Sequence, residues 1–266
     1  MERLRSDDAE IAYEIRGSGP PVVLLHPFPC DHEFWCPTAV TLESRYRLIL
    51  PDLRGHGYSE IGDGPALMAK HASDIARILD SAAISKAAFI GCSIGGYILF
   101  EFWRRFRARV TALSICDSRP QADTPEARAN RLKAAATVLE QGTEPFLEAM
   151  IPKLMGRTTV ETRPDLVAGA RAMMRKMSAE DISLVQRGMA ERPDSVADLK
   201  TVNVPTLIVI GEEDVLSTVA DGELMRQNIA GSQLKVIPKA GHYAPWEQAE
   251  LVGKILRQFL DDVAAK

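Results

Sequence analysis

The 266-residue chain has few cysteines and no long apolar run. Its four cysteines form neither a Cys-x-x-Cys pair nor a cluster with histidines at the spacing that zinc sites require. A disulfide framework and a structural zinc site are therefore excluded, and reduced thiols in a cytoplasmic protein are expected. The apolar runs are only a few residues long, as at residues 20–25, whereas a helix that crosses a membrane needs about 20. A membrane-spanning segment is excluded as well.

The chain also lacks a strong excess of charge of either sign. It has 32 basic and 36 acidic side chains, which gives a net charge of −4. The basic residues are scattered, so no surface is indicated that would attract nucleic-acid phosphates. The N-terminal residues lack the apolar stretch of a secretory signal. We therefore expect a cytoplasmic protein that binds neither nucleic acid nor membranes. The sequence leaves its oligomeric state open.

Short β-type runs alternate with amphipathic helical stretches along most of the chain. This alternation predicts an α/β fold, with a mostly parallel sheet that helices flank on both faces. Strands are expected at residues 11–15, 22–25, 46–50, 87–90, 110–116, 206–210 and 234–237. Helices are expected at residues 33–44, 65–83, 94–107, 217–229 and 246–263.

A long helical segment interrupts this pattern. Residues 123–199 are rich in Ala, Leu, Met, Glu and Arg and contain no convincing strand. A separate helical domain would leave the two strands after it as an isolated pair, which is unstable alone. We therefore predict one sheet domain made of residues 1–122 and 200–266, with residues 123–199 as a helical lid insertion.

The sequence Gly91-Cys92-Ser93-Ile94-Gly95-Gly96 lies between a predicted strand and a predicted helix. A Gly-x-Ser-x-Gly turn in this position lifts the serine hydroxyl above the sheet, and the turn is so sharp that it leaves little room for side chains at its glycines. The start of the helix also points free N–H groups at negative charge beside the serine. Ser93 is therefore the predicted nucleophile. The alternative is a structural turn with a surface serine.

A serine nucleophile needs a base, and the chain has five histidines. His242 lies in a loop between the last predicted strand and the last helix, where loops converge on the active edge of a parallel sheet. It is the predicted base. His26 and His56 precede the serine, in turns that have a structural explanation. For His32 and His71 we expect solvated helix faces.

The base in turn needs a carboxylate to orient it. Asp214 follows the predicted strand at residues 206–210, at the same edge of the sheet, and is the preferred candidate. Asp117 ends the strand at residues 110–116 and remains an alternative, as do Glu212 and Glu213. The order serine, acid, histidine is the one that α/β-hydrolases use, but both aspartates satisfy it.

Acyl transfer also requires N–H groups that stabilise the negative oxygen of the tetrahedral intermediate. The backbone N–H of Ile94 is one predicted donor. The turn after the strand at residues 22–25 supplies the other. Pro27 and Pro29 have no N–H, so Phe28 is the predicted second donor. A rigid loop without a catalytic part is the alternative.

Taken together, these motifs resemble the α/β-hydrolase superfamily over essentially the whole chain. The turn at residues 26–32, with Trp35 after it, looks like the branch that contains 3-oxoadipate enol-lactonases and small esterases. Pro27 departs from the His-Gly turn that is commoner in the superfamily. The motifs that carry the resemblance are His26-Pro27-Phe28-Pro29-Cys30-Asp31-His32, Asp52-Leu53-Arg54-Gly55-His56-Gly57-Tyr58-Ser59, Gly91 to Gly95, Gly211-Glu212-Glu213-Asp214 and Gly241-His242.

The resemblance implies a serine hydrolase that needs neither a cofactor nor a metal and that cleaves a small carboxylic ester or lactone through an acyl-enzyme. A cofactor-free haloperoxidase, a perhydrolase or a carbon-carbon bond hydrolase on the same triad are alternatives. A ligand receptor that kept the fold and lost turnover is a further one. In each case the partner is a small molecule.

The resemblance also makes the helical segment the lid of the acyl pocket. The cations Lys153, Arg171 and Arg175 are candidates to meet a substrate carboxylate, although solvated faces explain them equally well. Flexible thioethers suit an adaptable pocket wall, but methionine at helical spacing is as often plain core. The methionines in question are Met150, Met155, Met173, Met174, Met177 and Met189.

Overall fold

A computed structural model describes residues 1–265. Within these residues, eight strands form a single sheet in the order β1-β2-β4-β3-β5-β6-β7-β8. The strands are β1 (Glu2–Ser6), β2 (Ala9–Arg16), β3 (Pro21–Leu25), β4 (Arg47–Pro51), β5 (Ala87–Cys92), β6 (Val110–Cys116), β7 (Thr206–Gly211) and β8 (Gln233–Ile237). Strand β2 pairs antiparallel with β1 and β4, and the other neighbours pair in parallel. The predicted fold class, a mostly parallel sheet flanked by helices, is confirmed.

Helices connect the strands. Between residues 1 and 265 the α-helices are α1 (Cys36–Ala39), α2 (Met68–Ser81), α3 (Ile94–Phe106), α4 (Pro125–Gln141), α5 (Thr143–Leu154), α6 (Arg157–Thr162), α7 (Pro164–Met174), α8 (Ala179–Ala190), α9 (Val219–Asn228), α10 (Ala244–Glu247) and α11 (Ala249–Ala264). Helices α4 to α8 lie between β6 and β7, and we call them the helical insert. In the described part of the chain, no helix combines the length and the apolar character that crossing a membrane requires.

The central strands owe their place to continuous apolar sequence. Every residue of β5 and of β7 is buried, because helices cover both faces of the sheet at these strands. Parallel strands buried on both faces read as unbroken apolar runs rather than as alternating ones. This is why the sequence located them to within one or two residues.

The first strand was missed for the opposite reason. Strand β1 has the sequence Glu-Arg-Leu-Arg-Ser, lies at the edge of the sheet and is mostly exposed. It pairs with β2 through a short turn in which Asp7 has a φ of 51°. A charged edge strand of this kind resists edge-to-edge association, but it lacks the alternation of apolar residues that identifies a strand in sequence.

Three predicted helices differ in extent. The helix expected at residues 33–44 is a 3₁₀ turn, His32–Trp35, followed by the single turn α1. The helix expected from residue 65 begins only at Met68. The backbone N–H of Ala66 instead donates to the Leu184 carbonyl of the insert, which holds this segment outside the helix. The last helix is broken between α10 and α11 at Gln248, whose backbone is not helical.

The turn from β5 into α3 has the sharp geometry that its sequence predicted. Ser93 has φ 55° and ψ −113°, a backbone conformation that residues other than glycine rarely adopt. A Cβ atom at Gly91 would lie 2.6 Å from the carbonyl carbon of Gly95, and one at Gly95 would lie 2.4 Å from the carbonyl oxygen of Leu25. The glycines therefore allow α3 to pack directly on the backbone of β3 while Ser93 occupies the strained corner.

We predict that Gly95→Ala destabilises the fold, because the added methyl group overlaps a backbone oxygen that cannot move without displacing β3. Overpacking of this kind costs about 3 kcal/mol. Urea unfolding of the variant and of the unchanged protein measures the difference.

Gly222→Ala is the matched control. Gly222 also lies in a helix, but the nearest atoms to its added methyl group would be side-chain atoms, Cγ1 of Ile210 at 2.9 Å and Cδ1 of Leu234 at 3.0 Å. We expect a smaller loss of stability there than in Gly95→Ala, because side chains shift more readily than backbone and alanine favours the helix. Equal unfolding midpoints for Gly95→Ala and the unchanged protein would contradict the argument.

Candidate active site

The predicted site residues meet at one edge of the sheet. Strands β3, β5, β6, β7 and β8 are neighbours and run parallel, so their carboxyl ends lie side by side. Phe28, Ser93, Asp117, Asp214 and His242 follow these ends in turn. This is the edge at which parallel α/β sheets collect their functional loops.

Three of these side chains form a chain of hydrogen bonds. The Oγ atom of Ser93 lies 2.8 Å from Nε2 of His242, and Nδ1 of His242 lies 2.8 Å from Oδ2 of Asp214. All three residues are buried. A carboxylate only accepts hydrogen bonds, so Nδ1 carries the proton and Nε2 is free to accept from the serine hydroxyl. The arrangement presents a serine whose proton has an acceptor already in place.

Asp214 is fixed by its own loop. Its Oδ1 atom accepts hydrogen bonds from the backbone N–H groups of Leu216, at 2.7 Å, and Ser217, at 3.0 Å. The other carboxylate oxygen is thereby directed at His242. Of the alternative acids, Glu213 accepts a hydrogen bond from the N–H of Thr158, and Glu212 accepts one from the N–H of Lys239.

Asp117, the fourth candidate acid, bonds to backbone rather than to the imidazole. Its Oδ1 accepts from the N–H of Gly211 at 2.7 Å, and its Oδ2 accepts from the N–H of Ala244 at 3.0 Å. The side chain is completely buried. Burial, with the nearby Asp214 carboxylate, raises the pKa of Asp117 well above its usual range. Asp117 thus joins the end of β7 to the loop that carries His242.

Glu247 is a second buried carboxylate that holds this loop, and sequence reasoning missed it. Its Oε1 accepts from the N–H groups of Gly241, at 2.9 Å, and Tyr243, at 3.3 Å, the two neighbours of His242. Its Oε2 accepts from the N–H of Gly156 in the helical insert, at 2.8 Å. Burial raises the pKa of Glu247. No local motif marks such a residue, because its partners are backbone groups brought together by the fold.

The two predicted oxyanion donors flank the serine. Ile94 is the first residue of α3, where backbone N–H groups have no partner within the helix. Among the described residues, neither its N–H nor that of Phe28 donates a hydrogen bond. The carbonyl of Phe28 accepts from the Tyr243 hydroxyl at 3.0 Å, which fixes the turn.

A cavity of about 320 Å³ opens beside the serine and is lined by Phe28, Ser93 and His242. This volume suits a small organic molecule. The insert and the segments beside it form much of the wall. Apolar residues of this wall are Ala127, Ala134, Phe146, Met150, Leu154 and Met189, and polar ones are Arg119, Asp123, Asn130, Arg131, Lys153 and Gln186.

The insert residues singled out in the sequence divide between the cavity and other places. Met150 and Met189 line the cavity, whereas Met155, Met173, Met174 and Met177 are buried in the hydrophobic core. Lys153 also lines the cavity.

The other two cations proposed for a substrate carboxylate lie elsewhere. Arg171 pairs with Glu148 at 2.6 Å, and Arg175 pairs with Glu144, in both cases on the exposed surface. The arginines that do line the cavity are Arg119 and Arg131, which the sequence did not distinguish from other surface arginines.

The remaining histidines are buried, and the solvated positions expected for His32 and His71 were wrong. His71 is 1% exposed and His32 5% exposed. Helix α2 turns His71 toward the core, close enough to His56 for the two rings to affect each other. The Nδ1 atom of His26 donates to the Pro27 carbonyl at 3.0 Å, and its Nε2 accepts from the N–H of Leu53 at 2.9 Å.

One further cluster has donor atoms of the kind that metals bind. Atoms of Asp31, His32 and Asp52 lie within 4.8 Å of one another. His32 Nδ1 lies 2.7 Å from Asp52 Oδ1, and Lys176 Nζ lies 2.7 Å from Asp31. Burial opposes the charged form of His32, but the hydrogen bond and charge of Asp52 outweigh burial and raise its pKa. The two carboxylates are therefore already paired with His32 and Lys176.

Comparison with known proteins identifies a family whose model matches most of the chain. A family model described as the alpha/beta hydrolase fold matches residues 20–249. The chain is 28% identical over 264 residues to 3-oxoadipate enol-lactonase 1 of Acinetobacter baylyi, an alignment that covers 95% of this chain and 94% of that protein.

Two solved structures are similar over nearly the full length. A thermophilic esterase from Thermogutta terrifontis, solved with malate bound, has a TM-score of 0.95 and 36% identity, covering 99% of both chains. The enol-lactonase from Burkholderia xenovorans LB400 has a TM-score of 0.91 and 25% identity, covering 98% of this chain and 100% of that one. The resemblance that the motifs indicated is confirmed.

The buried histidines predict a loss of stability in acid. Burial lowers the pKa of His26 to about 3, and it also lowers the pKa values of His56 and His71. These rings are neutral in the fold but take up protons in the unfolded chain near pH 6.5. Stability is therefore complete above that pH and falls below it. When the pH falls from 7 to 5, His26 alone lowers the free energy of unfolding by about 2 kcal/mol.

Urea unfolding of His26→Gln at pH 7 and at pH 5 measures this contribution, because glutamine keeps an acceptor for the Leu53 N–H but does not titrate. We expect the drop between the two pH values to shrink. His32→Gln is the control of opposite sign. The raised pKa of His32 adds stability below pH 6.5, so its removal makes the drop steeper. An unchanged drop in His26→Gln contradicts the prediction.

Proposed function

The chain belongs to the α/β-hydrolase fold family, and from this premise we propose that it is a serine hydrolase that cleaves small carboxylic esters or lactones through an acyl-enzyme. Hydrolase activity agrees with the esterase and enol-lactonase relatives. The observation that carries the finer proposal is the pair of 2.8 Å contacts from His242, to Ser93 on one side and to Asp214 on the other. These contacts lie beside a cavity of suitable size.

Ser93 Oγ attacks the carbonyl carbon of the substrate in the first step. The hydroxyl proton moves to Nε2 of His242 as the new carbon–oxygen bond forms. The carbonyl electrons move to the oxygen and give a tetrahedral oxyanion. When this intermediate collapses, the bond to the leaving alkoxide breaks, and the alkoxide takes the proton from His242. For a lactone the alcohol stays attached to the acyl group.

Water completes the reaction. It attacks the acyl carbon and gives one proton to His242, which passes it to Ser93 Oγ as the acyl-enzyme bond breaks. The products are the free acid and the alcohol, and one water molecule is consumed. The enzyme returns to its starting state, and every proton and electron pair is accounted for by substrate, water and the triad.

Three further features favour these steps. The backbone N–H groups of Phe28 and Ile94 donate to the oxyanion, and they are available because the described residues offer them no acceptor. The carboxylate of Asp214 keeps the proton of the imidazole on Nδ1 and stabilises the positive charge that the ring acquires. The strained backbone at Ser93 holds its Oγ within hydrogen-bond distance of Nε2 of His242.

We further infer that the segment at residues 123–199 acts as the lid of this cavity, set on a core made of residues 1–122 and 200–266. In support, helices α4, α5 and α8 contribute side chains to the cavity wall, among them Phe146, Met150 and Met189. Such a lid excludes water from the reacting groups and shapes the space for the acyl part.

We predict that Ser93→Ala abolishes both esterase turnover and labelling by a fluorophosphonate probe. The expected fall in kcat on p-nitrophenyl acetate is about 10⁴-fold or more, because the acyl-enzyme no longer forms. Ser114→Ala is the matched control, since Ser114 is also buried but lies within β6. It should label normally. Labelling that persists in Ser93→Ala would contradict the proposal that Ser93 is the nucleophile.

The orienting acid is tested by Asp214→Asn beside Asp117→Asn. Asparagine at 214 presents an N–H group to the ring and favours the wrong tautomer, so kcat should fall by about 10⁴-fold. Asp117 holds backbone N–H groups rather than the ring, so its variant should lose stability but retain at least about tenfold more activity than Asp214→Asn. Circular dichroism confirms folding of both variants. A near-normal rate in Asp214→Asn would show that another residue orients His242.

A further inference from the structure

The cavity wall holds an unusual balance of charge. The carboxylate of Asp123, only 1% exposed, is in contact with three guanidinium groups. Arg131 Nε lies 2.6 Å away, an amino group of Arg192 2.8 Å away and one of Arg119 3.3 Å away. Three cations therefore share one anion, which leaves this group of four residues with a net charge of +2. We call it the arginine cluster.

The other contacts of the arginine cluster do not offset this charge. Arg131 donates to the amide oxygen of Gln186 at 3.1 Å. Arg192 donates to the carbonyls of Met189 and Gln121 and lies over the Tyr97 ring, with its Cζ atom 4.3 Å from the ring centroid. These partners are all neutral. Among the described ion pairs, Asp123 is the one acidic partner of these three arginines.

Two donors of the cluster are buried without a partner. Neither Nε of Arg119 nor Nε of Arg192 makes a hydrogen bond within the described residues. Burying an unpaired polar or charged group is costly, and proteins as a rule supply a partner for it. Arg119 and Arg131 have side chains 30% and 22% exposed, and both line the cavity beside Ser93. An anion in the cavity is thus best placed to balance the charge of the cluster.

The cavity as a whole has the same bias. Within the described residues, the cationic side chains that line the cavity are Arg119, Arg131 and Lys153. The single acidic side chain is Asp123, and its oxygens are already engaged by arginines. Asp123 engages Nε of Arg131 and Gln186 engages its Nη1, which leaves Nη2 of that side chain for another acceptor. A fixed guanidinium is a strong and specific partner for a carboxylate.

We propose that the arginine cluster binds a carboxylate at the end of the substrate remote from the scissile bond, so that the preferred substrates are half-esters of dicarboxylic acids. This inference rests on the proposed function and adds the substrate class to it. Asp123 orients Arg131, Arg192 supplies charge from behind, and Arg119 and Arg131 contact the substrate.

Two p-nitrophenyl esters of equal chain length test the proposal. Mono-p-nitrophenyl glutarate carries the remote carboxylate, and p-nitrophenyl valerate replaces it with a methyl group. The ratio of kcat/KM, glutarate over valerate, is expected to be roughly tenfold to hundredfold, the effect of a charge-assisted hydrogen bond. In Arg131→Gln and Arg119→Gln the ratio should fall toward one. High salt should also lower it.

Arg171→Gln is the matched control. Arg171 is an arginine of the insert that pairs with Glu148 on the surface, so its loss should leave both rates and their ratio unchanged. Competition provides a measurement that needs no variant. Free glutarate should inhibit valerate hydrolysis by the unchanged enzyme, whereas the uncharged glutaramide should not.

The outcomes separate this inference from the proposed function. If both esters are hydrolysed in a Ser93-dependent way, but the ratio is near one and glutarate does not inhibit, the carboxylate site is overturned. The proposed serine hydrolase activity is then still supported. Loss of all hydrolysis overturns the proposed function. Calorimetry with glutarate then decides on the site: binding that disappears in Arg131→Gln and Arg119→Gln supports it, and absence of binding to the unchanged protein overturns it.

Discussion

The close approach of α3 to β3 is the constraint on which the rest of the site depends. Helix α3 begins so near the sheet that Gly95 touches the carbonyl of Leu25, and Ser93 must then take a left-handed backbone conformation to join strand to helix. This one corner places the hydroxyl above the carboxyl edge of the sheet and the Ile94 N–H beside it. The buried apolar residues of β5 and the face of α3 that covers them hold the strain in place.

Three buried carboxylates surround the loop that carries His242, and their partners differ in kind. Asp214 bonds to the imidazole, whereas Asp117 and Glu247 bond to backbone N–H groups on either side of the ring. A loop cannot bury its polar backbone groups without acceptors, so the two structural carboxylates make it possible for His242 to lie in a dry site. Burial raises the pKa values of Asp117 and Glu247, and the hydrogen bonds from these N–H groups oppose that effect.

Features that are local in the chain, or that any parallel sheet imposes, could be predicted from the sequence. The corner at Ser93 is visible because its glycines are adjacent in the chain, and the edge that collects Asp214 and His242 is common to all parallel strands. Sequence favoured Asp214 but left Asp117 open, since both follow neighbouring strands and only the direction of each side chain distinguishes them. It also missed Glu247, whose partners are distant backbone groups. His71 was misplaced because its polar side chain was weighed above its spacing, which is three residues after Met68 and four before Ile75 and therefore puts it on the apolar face of α2.

The proposed mechanism and the proposed carboxylate site draw on different stretches of the chain. Ser93, Asp214 and His242 follow β5, β7 and β8, whereas the charged wall of the cavity comes from residues between β6 and β7. Arg119 and Asp123 precede α4, Arg131 lies within α4, and Arg192 follows α8, so the arginine cluster joins both ends of the helical insert. In the described part of the chain, none of these side chains bonds to Ser93, His242 or Asp214. Under the proposal, substitutions in this wall change which molecule the cavity accepts and leave the hydrogen bonds among Ser93, His242 and Asp214 intact, a separation that the connectivity of the sheet imposes.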